Sequence, residues 1–115
     1  MKSDIRSYED CLLLIEHFYT KLLNDPFIGH YFTDLNLKEH IPRVADFWAF
    51  VLIDKAGYQG NMMTAHAKLP LKIEDFDRWL GLFKTSVNEL YRGEKSEMAI
   101  QRSEQIAWTM KSKLD

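Results

Sequence analysis

Gly57-Tyr58-Gln59-Gly60-Asn61-Met62-Met63-Thr64-Ala65-His66-Ala67-Lys68-Leu69-Pro70 is the stretch on which the reading of this chain turns. Two glycines lead in and Leu69-Pro70 closes it, which leaves room for about two helical turns. His66 falls near the end of that short helix, between two alanines and a turn after two methionines. Small neighbours leave the imidazole accessible, and methionine fills irregular gaps. The setting suits a ligand offered to something large and flat. It also suits a buried structural histidine, and taken alone the residue reads first as that. So short a helix is marginal by itself, so something else must hold it.

The chain has 115 residues, which points to one domain over residues 1–115 with a single core. Hydrophobic residues make up 46% and aromatic residues 13%, enough to line a cavity as well as fill a core. The formal net charge of −2 offers no basic face, so no nucleic-acid partner is expected. The one cysteine, Cys11, excludes an intramolecular disulfide and a cysteine-based zinc site, and reads as a small apolar helix residue. The first residues, Met1-Lys2-Ser3-Asp4-Ile5-Arg6, carry no apolar signal core, and no later run reaches membrane-spanning length. No membrane partner and a cytoplasmic location are expected.

No alternating run reads as a strand, and the periodicity is helical throughout. Ser7 and Asp10 resemble a capping box for a first helix whose apolar residues are Cys11, Leu12, Ile15, Phe18, Tyr19, Leu22 and Leu23. Asn24-Asp25-Pro26 stops it, because the residue before proline is pushed out of the α region. An aromatic connector, Phe27-Ile28-Gly29-His30-Tyr31-Phe32, has room for one helical turn. The next helix carries Leu37, Ile41, Val44, Phe47, Trp48, Val51 and Leu52. Pro42 is tolerated only in a first turn, which places the regular start near His40. His40 then sits at the open end of an apolar stripe with Val44, Phe47, Trp48 and Val51. A long helix over residues 73–92 presents Phe76, Trp79, Leu80, Phe83, Val87, Leu90 and Tyr91. It lacks the Ser or Thr cap expected at its start. Gly93 reads as its left-handed stop, and Ser96 as the cap of a last helix in which Ala99, Ile106, Ala107 and Met110 face inward. The class is all-α.

Four polar-tipped residues lie on or beside these apolar faces: Tyr19, His40, His66 and Trp79. Taken singly, Tyr19 and Trp79 read first as core residues with hydrogen-bonded tips, and His40 as a partly exposed helix-start residue. As a set they are harder to dismiss. A histidine on a marginal segment stands with a second histidine, a phenol and an indole. Competing chemistries are poorly supported. The chain has no glycine-rich phosphate loop and no His-Glu-x-x-His, and Ser86 and Ser103 lack a nearby His-acid arrangement.

Here the sequence resembles a family, the truncated (two-over-two) haemoglobins, and within it the third group. The matching residues are Phe18-Tyr19; Asp25-Pro26-Phe27-Ile28-Gly29 running to Phe32; Glu39-His40-Ile41-Pro42; Asp46-Phe47-Trp48; Tyr58-Gln59-Gly60-Asn61; Ala65-His66; and Phe76-Asp77-Arg78-Trp79-Leu80 with Phe83. They run in order over residues 8–110, each weak alone and quite specific together. The glycine-pair motifs typical of the first group are absent.

The resemblance implies a truncated-globin two-over-two helical sandwich enclosing a haem b (iron protoporphyrin IX). It implies His66 as the proximal iron ligand through neutral Nε2, with Nδ1–H oriented by an acceptor. Tyr19, His40 and Trp79 match distal positions. Phe32, Val44, Phe47, Trp48, Phe76 and Phe83 would line the macrocycle, and Arg43 is the candidate propionate partner, with Lys68 and Tyr58 weaker ones. The implied ligands are dioxygen and nitric oxide, in scavenging, sensing or detoxification rather than bulk transport. Nitric oxide dioxygenation or peroxide reduction would require an external reductant from a separate reductase, since the chain carries no flavin or nicotinamide motif. The alternative from another class is a haem-free globin-like helical interaction or sensor domain, which has little reason to keep His66 alongside Tyr19 and Trp79.

Overall fold

Ser7 does what its side chain allows at a helix start. Its hydroxyl accepts the Asp10 N–H at 3.2 Å from an extended backbone, capping α1 (Tyr8–Leu23). The Asp10 carboxylate reaches one residue further back than a capping box requires and accepts Arg6 N–H at 2.8 Å. The structure is a computed structural model that describes residues 2–58 and 71–114. The expected short helix, with His66 and Lys68, lies outside the described residues.

After α1 the chain makes the expected stop and a 3-10 turn (Gly29–Phe32), then enters α2 (Leu37–Ile53). The start of α2 corrects the expectation from Pro42. The helix begins at Leu37 rather than near His40, and Pro42 lies inside it. Proline has no N–H to offer the Lys38 carbonyl, but Lys38 is exposed, so water can take that place. Asp54 ends α2 with φ 56°, a left-handed value that Asp tolerates better than most residues.

The last two helices are α3 (Ile73–Leu90) and α4 (Glu94–Ser112). The cap missing from the start of α3 comes from within the helix: the Asp75 carboxylate accepts Lys72 N–H at 2.9 Å. α3 stops at Leu90, short of residue 92, with Tyr91 extended and its hydroxyl donating to the Asp10 carbonyl at 2.8 Å.

The expected roles of Gly93 and Ser96 are both corrected. Gly93, at φ 144° and ψ −168°, is the N-cap of α4 rather than a left-handed stop, and Ser96 lies inside the helix. The capping carboxylate is Asp4, from the other end of the chain. It accepts Lys95 N–H at 2.8 Å, Ser96 N–H at 2.9 Å and the Ser96 hydroxyl at 2.8 Å. Burial pushes the Asp4 carboxyl up, but the hydrogen bonds from Lys95, Ser96 and Ile5 outweigh it and hold the pKa below its ordinary value. A side chain at position 93 would place Cβ 2.6 Å from Asp4 Cγ, so only glycine admits this contact.

α1 packs against both α2 and α3, and α3 packs along α4. The core between them holds Leu14, Ile15, Phe18, Leu22, Trp48, Leu52, Phe83 and Val87, with Ile5 of the amino-terminal segment pinned beneath. Among the described residues there is no strand, and no helix is long and apolar enough to cross a membrane. The inward residues expected on α4 hold: Ala99, Ala107 and Met110 are buried and Ile106 is partly so, while Trp108 is 70% exposed. Cys11 is a buried free thiol pushed up to about 12 by burial, as its apolar reading requires.

Candidate functional site

Phe18 and Tyr19 are consecutive on α1, and their side chains leave the helix about 100° apart. Both are buried. Phe18 is the hub of the aromatic core. Its ring meets Tyr19 edge-on at 5.4 Å, Trp79 at 5.9 Å and Phe83 at 5.3 Å. Phe83 is stacked with Trp48 of α2 at 4.9 Å and with Trp79 of α3 at 5.9 Å. Such pairs add about 0.5–1.5 kcal/mol each beyond their burial, so this wall is stiff before anything binds. The apolar periodicity places Phe18 on the buried face of α1 without marking it as part of the site; its adjacency to Tyr19 is the signal the sequence carries.

Tyr19 presents its hydroxyl to α2, where the oxygen lies 2.5 Å from His40 Nε2. The rings meet edge-on at 5.3 Å, and Phe32 covers Tyr19 from another side at 6.4 Å. With a neutral imidazole, one hydrogen atom is shared across this contact. If Nε2 carries it, Tyr19 accepts and its own O–H is left to donate elsewhere. If Tyr19 donates it, the phenol is committed to His40. Burial holds the Tyr19 phenol well above the ordinary tyrosine pKa, so the group remains protonated near neutral pH.

Three of the four polar-tipped residues therefore meet the same interior. Tyr19 and Trp79 are buried and share Phe18 as neighbour, and His40 bonds Tyr19 from the half-exposed first turn of α2. The fourth, His66, lies outside the described residues. Among the residues expected to line a flat cofactor, Phe32, Trp48, Phe76 and Phe83 are buried, while Val44 and Phe47 on α2 are half-buried. Phe47 meets Tyr58 edge-on at 5.3 Å, just before the segment that carries His66. Arg43 is exposed, one turn beyond His40.

This donor set fits a haem. A buried phenol and a buried indole share an aromatic wall, a half-exposed imidazole bonds the phenol, and an exposed cation stands one turn beyond it. Among the described residues other chemistries find no support. Ser86 and Ser103 donate to the carbonyls of Leu82 and Ile100 at 2.8 and 2.7 Å and are locked in their own helices. His17 contacts Glu89 at 2.8 Å on the surface, and His30 is exposed. Among the described residues no group of histidine, cysteine and carboxylate side chains could hold a metal.

No protein-family model matches the chain. It is 33% identical over 114 residues to the group 3 truncated hemoglobin ctb of Campylobacter jejuni, covering 93% of this chain and 90% of that protein. The crystal structure of the group III truncated hemoglobin from Campylobacter jejuni superposes with a TM-score of 0.88 at 32% identity, over 100% of this chain and 96% of that one.

Proposed function

The chain belongs to the group III truncated haemoglobins, a family of haem-binding globins with this all-helical fold, and from that premise we propose that it binds haem b with His66 as the axial ligand and reversibly holds dioxygen and nitric oxide. The observation that carries the reading is the part-buried Tyr19–His40 contact, with Trp79 buried against the same Phe18 ring that Tyr19 meets. When bound, haem would supply a ferrous iron able to take a diatomic gas.

The chain's own residues supply the rest. Tyr19 carries a phenol O–H, a donor throughout the physiological range. Trp79 can only donate through its indole N–H. Together they favour a ligand that carries partial negative charge. His40 sets what Tyr19 can do, because the tautomer that donates to the phenol oxygen releases the phenol hydrogen toward the ligand. Phe32, Val44, Phe47, Trp48, Phe76 and Phe83 would exclude water from the macrocycle, and Arg43 would be the propionate partner, with Lys68 and Tyr58 as weaker ones.

A hydrogen bond to a charged group is worth about 1.5–3 kcal/mol, or about tenfold to a hundredfold in affinity. Such retention suits scavenging, sensing or detoxification and works against bulk transport. Turnover of nitric oxide or peroxide would draw electrons from a separate reductase.

The test is dioxygen binding by the haem-reconstituted ferrous protein. Reversible uptake with slow release is expected, and a protein that takes up haem yet binds neither dioxygen nor nitric oxide would contradict the proposal. The unliganded ferrous spectrum of the wild type and of His40→Ala then assigns His40. A six-coordinate form lost in the variant makes it an iron ligand, and five-coordinate spectra in both leave it as the partner of Tyr19.

A further inference from the structure

Asp25 carries a carboxylate whose side chain is 1% exposed, at the turn that ends α1. One oxygen, Oδ2, accepts the N–H groups of Phe27 and Ile28, both at 3.0 Å. The other, Oδ1, accepts a fork from Arg78 on α3, through Nε at 2.7 Å and Nη2 at 2.5 Å. The same guanidinium lies over the Phe27 ring, 5.1 Å from its centroid. Both oxygens are thus engaged and the planar fork is held from two sides, so the geometry is fixed in rotation as well as distance.

What stands at the two ends of this bridge gives it a use. The turn lies close against α1: Asp25 N–H donates to the Leu22 carbonyl at 3.1 Å, and Gly29 comes so near that a Cβ there would stand 2.9 Å from the Leu22 carbonyl oxygen and 2.8 Å from that of Leu23. The bridge is therefore anchored to the last turn of the helix that carries Tyr19. At the other end, Arg78 is followed immediately by Trp79, which turns inward where Arg78 turns outward. We infer that the Asp25–Arg78 pair is a positioning clamp for Trp79, fixing the α3 turn that carries the indole against the helix that carries Tyr19 and so setting the separation of the two donors. The inference rests on the proposed distal role of Trp79 for its consequence in gas binding, though not for the clamp itself.

The experiment uses the haem-loaded ferrous protein. Its three tryptophans give three indole N–H resonances in the diamagnetic carbon monoxide complex, and the one missing from Trp79→Phe is assigned to Trp79. In Arg78→Ala and in Asp25→Asn that resonance is expected to move while those of Trp48 and Trp108 stay. Arg78→Lys keeps the charge without the fork and guards against loss of fold; it should move the resonance in the same direction by less. Dioxygen release should quicken by about threefold to tenfold in Arg78→Ala, the scale of a sub-ångström misplacement. The Arg78→Ala/Trp79→Phe double variant should release no faster than Trp79→Phe alone.

Asp4→Ala, which loosens α4 at its distant start, is the control: it should lower the melting temperature and leave both readouts in place. A Trp79 resonance unmoved in folded Arg78→Lys and Arg78→Ala would overturn the clamp, whatever the gas kinetics. A moved resonance with dioxygen release unchanged in Trp79→Phe would support the clamp and overturn the distal role of the indole.

Discussion

Replacing Tyr19 by Phe removes one oxygen atom and little volume, so it probes the site with small disturbance to the core. The ring keeps its edge-on contacts with Phe18 and Phe32. The hydroxyl lost is the one 2.5 Å from His40 Nε2. His40 is half-exposed, so water can replace that partner in part. The stability cost is then that of an ordinary net hydrogen bond, about 1 kcal/mol, which for a domain of this size lowers the melting temperature by about 4–8 °C. The effect on gas binding is larger. A donor to a ligand with charge on its outer oxygen is worth about 1.5–3 kcal/mol, and with about 1.4 kcal/mol per decade that is about tenfold to a hundredfold faster dioxygen release. The assay is stopped-flow mixing of the dioxygen complex with excess carbon monoxide, with thermal melting of the same preparation. A release rate unchanged in a folded variant would remove Tyr19 from the distal role and leave its bond to His40 as structural.

Asp4→Ala leaves the first N–H groups of α4 without their acceptor and is expected to cost about 1–2 kcal/mol, the range of a lost N-cap, measured by urea unfolding; an unchanged midpoint would refute the cap. Gly29→Ala forces a methyl against the carbonyl oxygens of Leu22 and Leu23 at under 3 Å. It is expected to destabilise by about 1–3 kcal/mol, and a wild-type melting temperature would show that the turn can yield. Acid should also destabilise the protein through Asp4 and Asp25. Burial alone pushes both carboxyls up, but hydrogen bonds, with the Arg78 charge at Asp25, bring them below their ordinary value of 3.8. Groups with depressed folded pKa values contribute stability that is present above the unfolded value and lost as pH falls through the folded one. The melting temperature should therefore drop below about pH 4, and the drop should be shallower in Asp25→Asn.

Much of the helical frame is legible in the apolar spacing. α1 and α3 bury the faces their periodicity marks, because each segment is long enough for the pattern to outweigh local accidents. The failures come from interactions that link distant parts of the chain. Ser96 is a good cap by type, yet Asp4 takes that role from the amino terminus, and nothing near residue 96 announces it. Pro42 argues for a later start to α2 because a lost hydrogen bond is costly in a helix interior, but the residue whose carbonyl loses its partner, Lys38, is exposed. At the site, the apolar faces place Tyr19 and Trp79 inside, and they leave open what the hydroxyl and indole meet. The Tyr19–His40 contact joins two helices, and the Asp25–Arg78 fork joins a turn to a third; neither pairing follows from spacing. The family resemblance groups Tyr19, His40 and Trp79 and gives Phe18 no role, although the rings of Tyr19, Trp79 and Phe83 all meet it edge-on. His66 is assigned by that resemblance alone.

It is therefore His66 that most needs a direct measurement: haem titration into the purified protein, followed by its absorption spectrum, for the wild type and for His66→Ala. A Soret band that saturates at one haem per chain, shifted or lost in the variant, is the expected result. No band in the wild type, or the same band at the same stoichiometry in His66→Ala, would contradict the assignment of His66 as the iron ligand.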